Sequence, residues 1–125
     1  MTLRVLVVDD EAAVASTLQA YLEDEGMAVR SAGSAEEALE LLRTGVVFDV
    51  CIMDMRLPGM HGNAAIRRLH RVRPCMQYII HTGTAGYELP DDLRAMGIGN
   101  MQLFMKPLPD MSPLVDTIRS LGTQC

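Results

Sequence analysis

Apolar residues along the chain gather into short continuous runs that alternate with stretches of helical spacing. Residues Leu3 to Val8, LRVLVV, form a β-branched run, and a helical pattern follows from Glu11 to about Glu25, where Gly26 stops it. Met27 to Ala32 reads as a second, short strand. Ser34 then reads as a helix N-cap, and Glu37 completes a capping box, since each side chain can satisfy a backbone N–H left open at a helix start. That helix is expected to run to about Thr44 and to end at Gly45. Phe48 to Met53 is the third strand, followed by a helix from Asn63 to about Val72. Met76 to His81 is the fourth strand, with a helix from Pro90 to Met96 after it. Met101 to Met105 is the fifth strand, and Ser112 opens a last helix to about Leu121.

Strands alternating with helices predict βαβ units with right-handed crossovers, hence a parallel sheet. The near-continuous apolar strands agree, because parallel strands are covered on both faces. The expected fold is α/β: a five-stranded parallel sheet, order 2-1-3-4-5, doubly wound in the flavodoxin-like manner. A length of 125 residues fits a single domain over 1–125, and neither repeats nor linkers suggest a second.

Composition narrows the function classes. Apolar residues make up 49% and charged residues 22%, a globular balance. No apolar run approaches the roughly 20 residues that span a bilayer. The N-terminus meets Asp9 and Asp10 soon after its short apolar run, unlike a signal peptide. These features lead us to expect a cytoplasmic protein with no membrane contact. A net charge of −5 argues against direct nucleic-acid binding. The basic run RRLHRVR, with Arg67, Arg68, Arg71 and Arg73, reads as a solvated helix face. Cys51, Cys75 and Cys125 are an odd number without metal-like spacing, so no disulfide or metal role is expected, and Cys51 reads as a small core residue. His61, His70 and His81 are not spaced as a metal site either and read as structural or solvated, although His81 adjoins the strand-end residues described next.

The polar residues fall at strand ends. Asp9 and Asp10 follow the first strand, Asp54 ends the third, Thr82 follows the fourth and Lys106 the fifth. In a parallel sheet these ends share one edge, and ligands bind outside it where the strand order reverses. With strands one and three adjacent there, Asp9, Asp10 and Asp54 should converge. Clustered carboxylates repel unless a cation lies among them, and hard oxygen ligands suit Mg²⁺. Asp can act as an acyl-phosphate nucleophile. A lysine and a small hydroxyl suit a phosphoryl oxygen. Each residue also has a local reading: Asp9 and Asp10 could cap the first helix, Thr82 a turn, and Lys106 could be solvated.

As an ordered set, VLVVDDE at Val5 to Glu11, MDMRLPGMHG at Met53 to Gly62, HTG at His81 to Gly83, and Lys106–Pro107 resemble the receiver domain of two-component response regulators, in its chemotaxis-regulator-like form. The resemblance implies that Asp54 is the phosphoacceptor, taking a phosphoryl group from a histidine kinase or phosphotransfer protein. It implies Mg²⁺ held directly by Asp10 and Asp54, by Asp9 through water, and by the backbone carbonyl of Arg56. Thr82 would bond a phosphoryl oxygen and Lys106 would pair with its charge. Self-catalysed phosphorylation and autodephosphorylation, and an effector or output domain to read them, are implied as well. One departure stands out: family members carry Tyr or Phe three residues before the lysine, and this chain has Leu103, with Phe104 on the opposite strand face. Arg56 and Thr84 flank the acceptor, where side chains tune phosphoryl lifetime.

Three other readings compete. A phosphatase of the haloacid-dehalogenase type needs a second Asp two residues after its nucleophile, where this chain has Arg56. A nucleotide or flavin module wants a Gly- or hydroxyl-rich loop after the first strand, where this chain has DDEAAV. A degenerate receiver serving only for docking would not need the full set of Asp9, Asp10, Asp54, Thr82 and Lys106.

Overall fold

In the computed structural model, which describes residues 2–122, the chain order is β1 (Arg4–Val8), α1 (Ala12–Asp24), β2 (Ala28–Ala32), α2 (Ala35–Arg43), β3 (Val50–Met53), β4 (Arg56–Leu57), β5 (Met60–His61), α3 (Gly62–Val72), β6 (Gln77–Thr82), α4 (Asp91–Ala95), a 3₁₀ turn (Asn100–Gln102), β7 (Leu103–Met105) and α5 (Ser112–Leu121). The main sheet runs β2-β1-β3-β6-β7 with every pair parallel. Ranked by the long strands alone this is the expected order 2-1-3-4-5.

Alternation along each strand divides the core. Leu6 and Val8, Cys51 and Met53, and Tyr78 and Ile80 face one side and pack with Leu39, Leu42, Ile66, Leu69 and Leu93 of α2, α3 and α4. Val5 and Val7, Val50 and Ile52, and Ile79 face the other, against Leu18 and Leu22 of α1 and Leu114 and Ile118 of α5. Every residue of β3 is buried, which is why its sequence reads as an unbroken apolar run.

Local signals hold in most places. Ser34 Oγ accepts from Glu37 N at 3.2 Å, as the capping motif requires. The reciprocal arm differs: Glu37 accepts from Gly33 N rather than from the N-cap amide, so the box closes one residue earlier. The fourth helix is Asp91–Ala95 between its caps Pro90 and Met96, as expected, and Gly97 follows at φ +101°. Two expectations are corrected. Asn100–Gln102 coils into a 3₁₀ turn and leaves Met101 86% exposed, so the last strand keeps only Leu103–Met105. Cys75 is disulfide-bonded, against the expectation of no disulfide; spacing along the chain says nothing of whether two sulfurs meet in space. Cys125 lies outside the described residues, and Cys51 is a buried free thiol.

The basic run is also not wholly solvated. Arg68 and Arg71 are exposed, but Arg67 pairs with Asp92 and Arg73 donates from Nη2 to the Leu42 carbonyl at 3.0 Å. Among the described residues, no helix is long and apolar enough to cross a membrane.

Candidate functional site

The backbone ladder fixes the strand ends before any side chain contributes. Asp9 N donates to Ala32 O at 3.0 Å, Asp54 N to Val8 O at 2.9 Å, and Lys106 N to Thr82 O at 2.9 Å. Each polar residue thus leaves the sheet at a defined height on its carboxyl edge. After Asp54 the chain forms a small antiparallel ribbon, with Arg56 paired to His61 and Leu57 to Met60. Its two-residue turn is Pro58–Gly59, and Gly59 takes φ +75°, the geometry of a Pro-Gly turn. The ribbon returns at Gly62, whose N–H donates to Met55 O at 2.9 Å. A Cβ there would run into the Asp54 carbonyl oxygen and come within 2.7 Å of Met55 Cα. Only glycine lets α3 start this close to the strand tip.

The carboxylates of Asp9, Glu11 and Asp54 each offer an oxygen within 4.8 Å of the others. Lys106 reaches among them, with Nζ 2.9 Å from Asp9 Oδ2, 3.1 Å from Glu11 Oε1 and 3.5 Å from Asp54 Oδ1. Asp9 also serves the local role open to it, since Oδ1 accepts from Glu11 N at 2.9 Å where α1 begins. Asp10 is exposed and stands outside the cluster, yet lines the same recess of about 330 Å³ with Glu11, Asp54, Arg56, Gly83 and Lys106. Arg56 is exposed at the rim, and its N–H points to Asp54 Oδ1 at a long 3.4 Å.

Burial raises the Asp54 carboxyl above the ordinary range and the charge of Asp9 adds to it, against the pull of Lys106 and the Arg56 amide. Burial by itself lowers the Lys106 ammonium, but hydrogen bonds to Asp9 and Glu11 and the charges of Asp54 and Asp9 outweigh it, so the net shift is upward. The lysine stays charged and acts as the cation the carboxylates otherwise lack.

Thr82 is buried, and its Oγ1 accepts from Thr84 N at 3.0 Å. Thr84 is half-buried in the loop that follows. Leu103 packs on the α2–α3–α4 side of the sheet and Phe104 on the α1–α5 side. His81 adjoins the acidic recess without lining it. It is 4% exposed, neither ring nitrogen has a hydrogen-bond partner, and it lines a neighbouring groove of about 570 Å³ with Val14, Leu18, Leu108 and Met111, which shares Glu11, Gly83 and Lys106 with the recess. Burial and the nearby Lys106 charge lower its pKa to about 4, opposed by Asp9 and Glu11.

Two contributors were not singled out by sequence reasoning. Glu11 reads along the chain as a helix start, although DDE at a strand end holds a third acid. The close approach of Gly62 to Asp54 has no signature along the chain.

A depression of acids around a lysine, at the edge of a sheet in this strand order, has known counterparts. The family model described as "Response regulator receiver domain" matches residues 5–119. The alginate biosynthesis transcriptional regulatory protein AlgB of Pseudomonas aeruginosa is 36% identical over 104 residues, which cover 83% of this chain and 22% of that protein. The transcriptional regulatory protein AruR of the same species is 42% identical over 87 residues, 66% of this chain and 35% of that one. The chain therefore spans less than half the length of these relatives. Among solved structures, a CheY-like receiver domain protein from Methanospirillum hungatei superposes with a TM-score of 0.83 at 29% identity, covering 98% of this chain and 95% of that one. The response regulator TrrA of Thermotoga maritima, solved in complex with Mg²⁺-BeF, gives 0.78 at 25% identity, with coverage of 97% and 99%. With nearly the whole described length matched in sequence and fold, this chain belongs to the response regulator receiver domain family.

Proposed function

We propose that this domain accepts a phosphoryl group on Asp54 from a phosphohistidine of a partner kinase or phosphotransfer protein, and so changes the surface it offers to an effector or output domain. The observation that carries this reading is a buried carboxylate at the tip of β3 with an ammonium 3.5 Å from one oxygen and Asp9 and Glu11 beside it. In the transfer, an Asp54 oxygen forms a bond to phosphorus as the P–N bond of the donor breaks, and the electron pair leaves with the donor imidazole. Lys106 favours the ionised, nucleophilic Asp54 and then neutralises charge on the transferred group. Thr82 offers a hydroxyl to a phosphoryl oxygen once it turns toward the recess.

The donor set fits Mg²⁺: hard oxygens from Asp9, Asp10, Asp54 and the Arg56 carbonyl, with Glu11 as a further carboxylate. When bound, the ion offsets the charge of donor phosphate and carboxylates. On this reading the domain catalyses its own phosphorylation and, more slowly, its own dephosphorylation, as a signalling phosphoacceptor rather than a conventional enzyme. The exposed Arg56 and half-buried Thr84 flank the acceptor and set the lifetime of the modified state. The kinase and effector act with it in the cytoplasm.

Incubation with a small phosphodonor and Mg²⁺, followed by intact mass measurement, tests the reading. One phosphoryl adduct is expected, absent in Asp54→Asn and prevented by a chelator. A folded protein that takes up none under these conditions is a docking module instead.

A further inference from the structure

The segment between Thr82 and α4 is fastened to α3 at two points. Tyr87 donates its hydroxyl to Asn63 Oδ1 at 2.6 Å. Arg67 forks onto Asp92, with Nε 2.6 Å from Oδ2 and Nη2 3.1 Å from Oδ1. Asn63 lies in the first turn of α3, next to the Gly62 that abuts Asp54, and Asp92 lies in the first turn of α4. Leu89 and Leu93 anchor the far end of the segment in the core at 6% and 0% exposure. The stretch before them holds the exposed Gly83 and Gly86, the latter at φ +75°, so its path is set by few side chains.

Thr82 begins this segment. It is 2% exposed, and its hydroxyl oxygen is engaged by Thr84 N. Gly83, and not Thr82, is among the residues that line the acidic recess. To present its hydroxyl to a group on Asp54, Thr82 must turn out of this buried position, and the loop bonded to it moves as well. Leu103 has neither ring nor polar atom to follow that motion.

We propose that the Tyr87–Asn63 hydrogen bond, seconded by the Arg67–Asp92 pair, is a latch that holds Thr82 in its buried position. Tyr87 is then the positioning residue that links the state of Asp54 to α4, in a chain whose residue 103 is aliphatic. The inference rests on Asp54 being the phosphoacceptor. A contact made only in the resting arrangement reduces the fraction of molecules ready to bind a phosphoryl group, and its removal tightens binding by the same factor. The neutral, half-buried Tyr87 bond should matter more than the exposed Arg67–Asp92 pair, which solvent screens.

The test is a titration of the full chain, with Mg²⁺ present, by beryllofluoride as a phosphoryl mimic, followed through amide NMR shifts. Tyr87→Phe and Asn63→Ala should each tighten the apparent affinity about three- to tenfold, and the double variant no more than either alone. Arg67→Ala should tighten it by less than about threefold. A bond that is merely structural would lower the melting temperature and leave affinity unchanged or weaker. That result, or additive effects of the two single variants, overturns the latch while the phosphoacceptor reading stands. If the wild-type chain binds no beryllofluoride, or Asp54→Asn binds it equally, the phosphoacceptor reading fails and the latch falls with it.

Discussion

At the amino end of β3, Asp49 accepts from Arg4 N through Oδ2 at 2.8 Å, and its own N–H donates to Arg4 O at 2.8 Å. Its carbonyl also receives Gln77 N at 3.0 Å. At the carboxyl end of the same strand, Asp54 is buried, crowded by Asp9 and Glu11, and offered Lys106 at 3.5 Å. One carboxylate finishes a backbone ladder; the other is left with charge to give. The residue type and the strand are shared, so the difference lies in the neighbours. The amino end meets backbone amides that need an acceptor, whereas the carboxyl end meets other acids, and a group of like charges makes a place for a cation.

The largest effect that would sharpen this contrast concerns His81, the buried base near the carboxyl end. Its pKa falls from an ordinary 6.5 to about 4, chiefly by burial. Between those values the unfolded chain binds a proton that the folded chain refuses, so stability is present above about pH 6.5 and is lost as pH falls toward 4. Replacing His81 by Phe should flatten that slope by up to about 3 kcal/mol, measured as the difference in denaturant unfolding between neutral and acid pH. Parallel curves for the two proteins would show that the ring is not held neutral by its surroundings.

Next in size is Gly62→Ala. The added methyl meets the Asp54 carbonyl oxygen and Met55, both at the strand tip. We expect a loss of about 2 kcal/mol together with a slower phosphoryl uptake, because the displaced atoms carry the proposed acceptor. A variant of normal stability and normal uptake would mean that the tip has slack the close contact does not suggest.

The smallest effect should come from Asp49→Ala. It removes a satisfied backbone acceptor and should cost about 1 kcal/mol, with the phosphoryl adduct at Asp54 unaffected in mass spectra. If adduct formation fell in step with that of Asp54→Asn, the two ends of β3 would not be independent and the contrast would collapse.

Much of this was legible along the chain. The apolar runs of β1 and β3 and the helical spacing of α1 and α3 carry their periodicity locally, and a parallel α/β sheet follows from their alternation. The positions of Asp9, Asp54 and Lys106 at strand ends were legible for the same reason. What failed was local geometry under tertiary control. Met101 reads as strand, yet Gln102 turns inward to donate to the Tyr78 carbonyl at 2.7 Å and accept from Gly99 N at 2.8 Å, which coils the backbone around it. The disulfide at Cys75 and the ribbon between β3 and α3 are not legible along the chain for a similar reason: neither has a period.

By itself the sequence determined the layers of the fold, the edge on which its acids gather and the chemistry those acids favour, because hydrophobic period and strand-end position are properties of neighbouring residues. Only the tertiary structure decided that Glu11 joins Asp9 and Asp54 while Asp10 stands at the rim, that His81 lines a groove bordered by Glu11 and Lys106, and that Tyr87 reaches Asn63. Those outcomes depend on where side chains distant in sequence come to rest, and distances through space, unlike periodicity, are set only when the whole chain has packed.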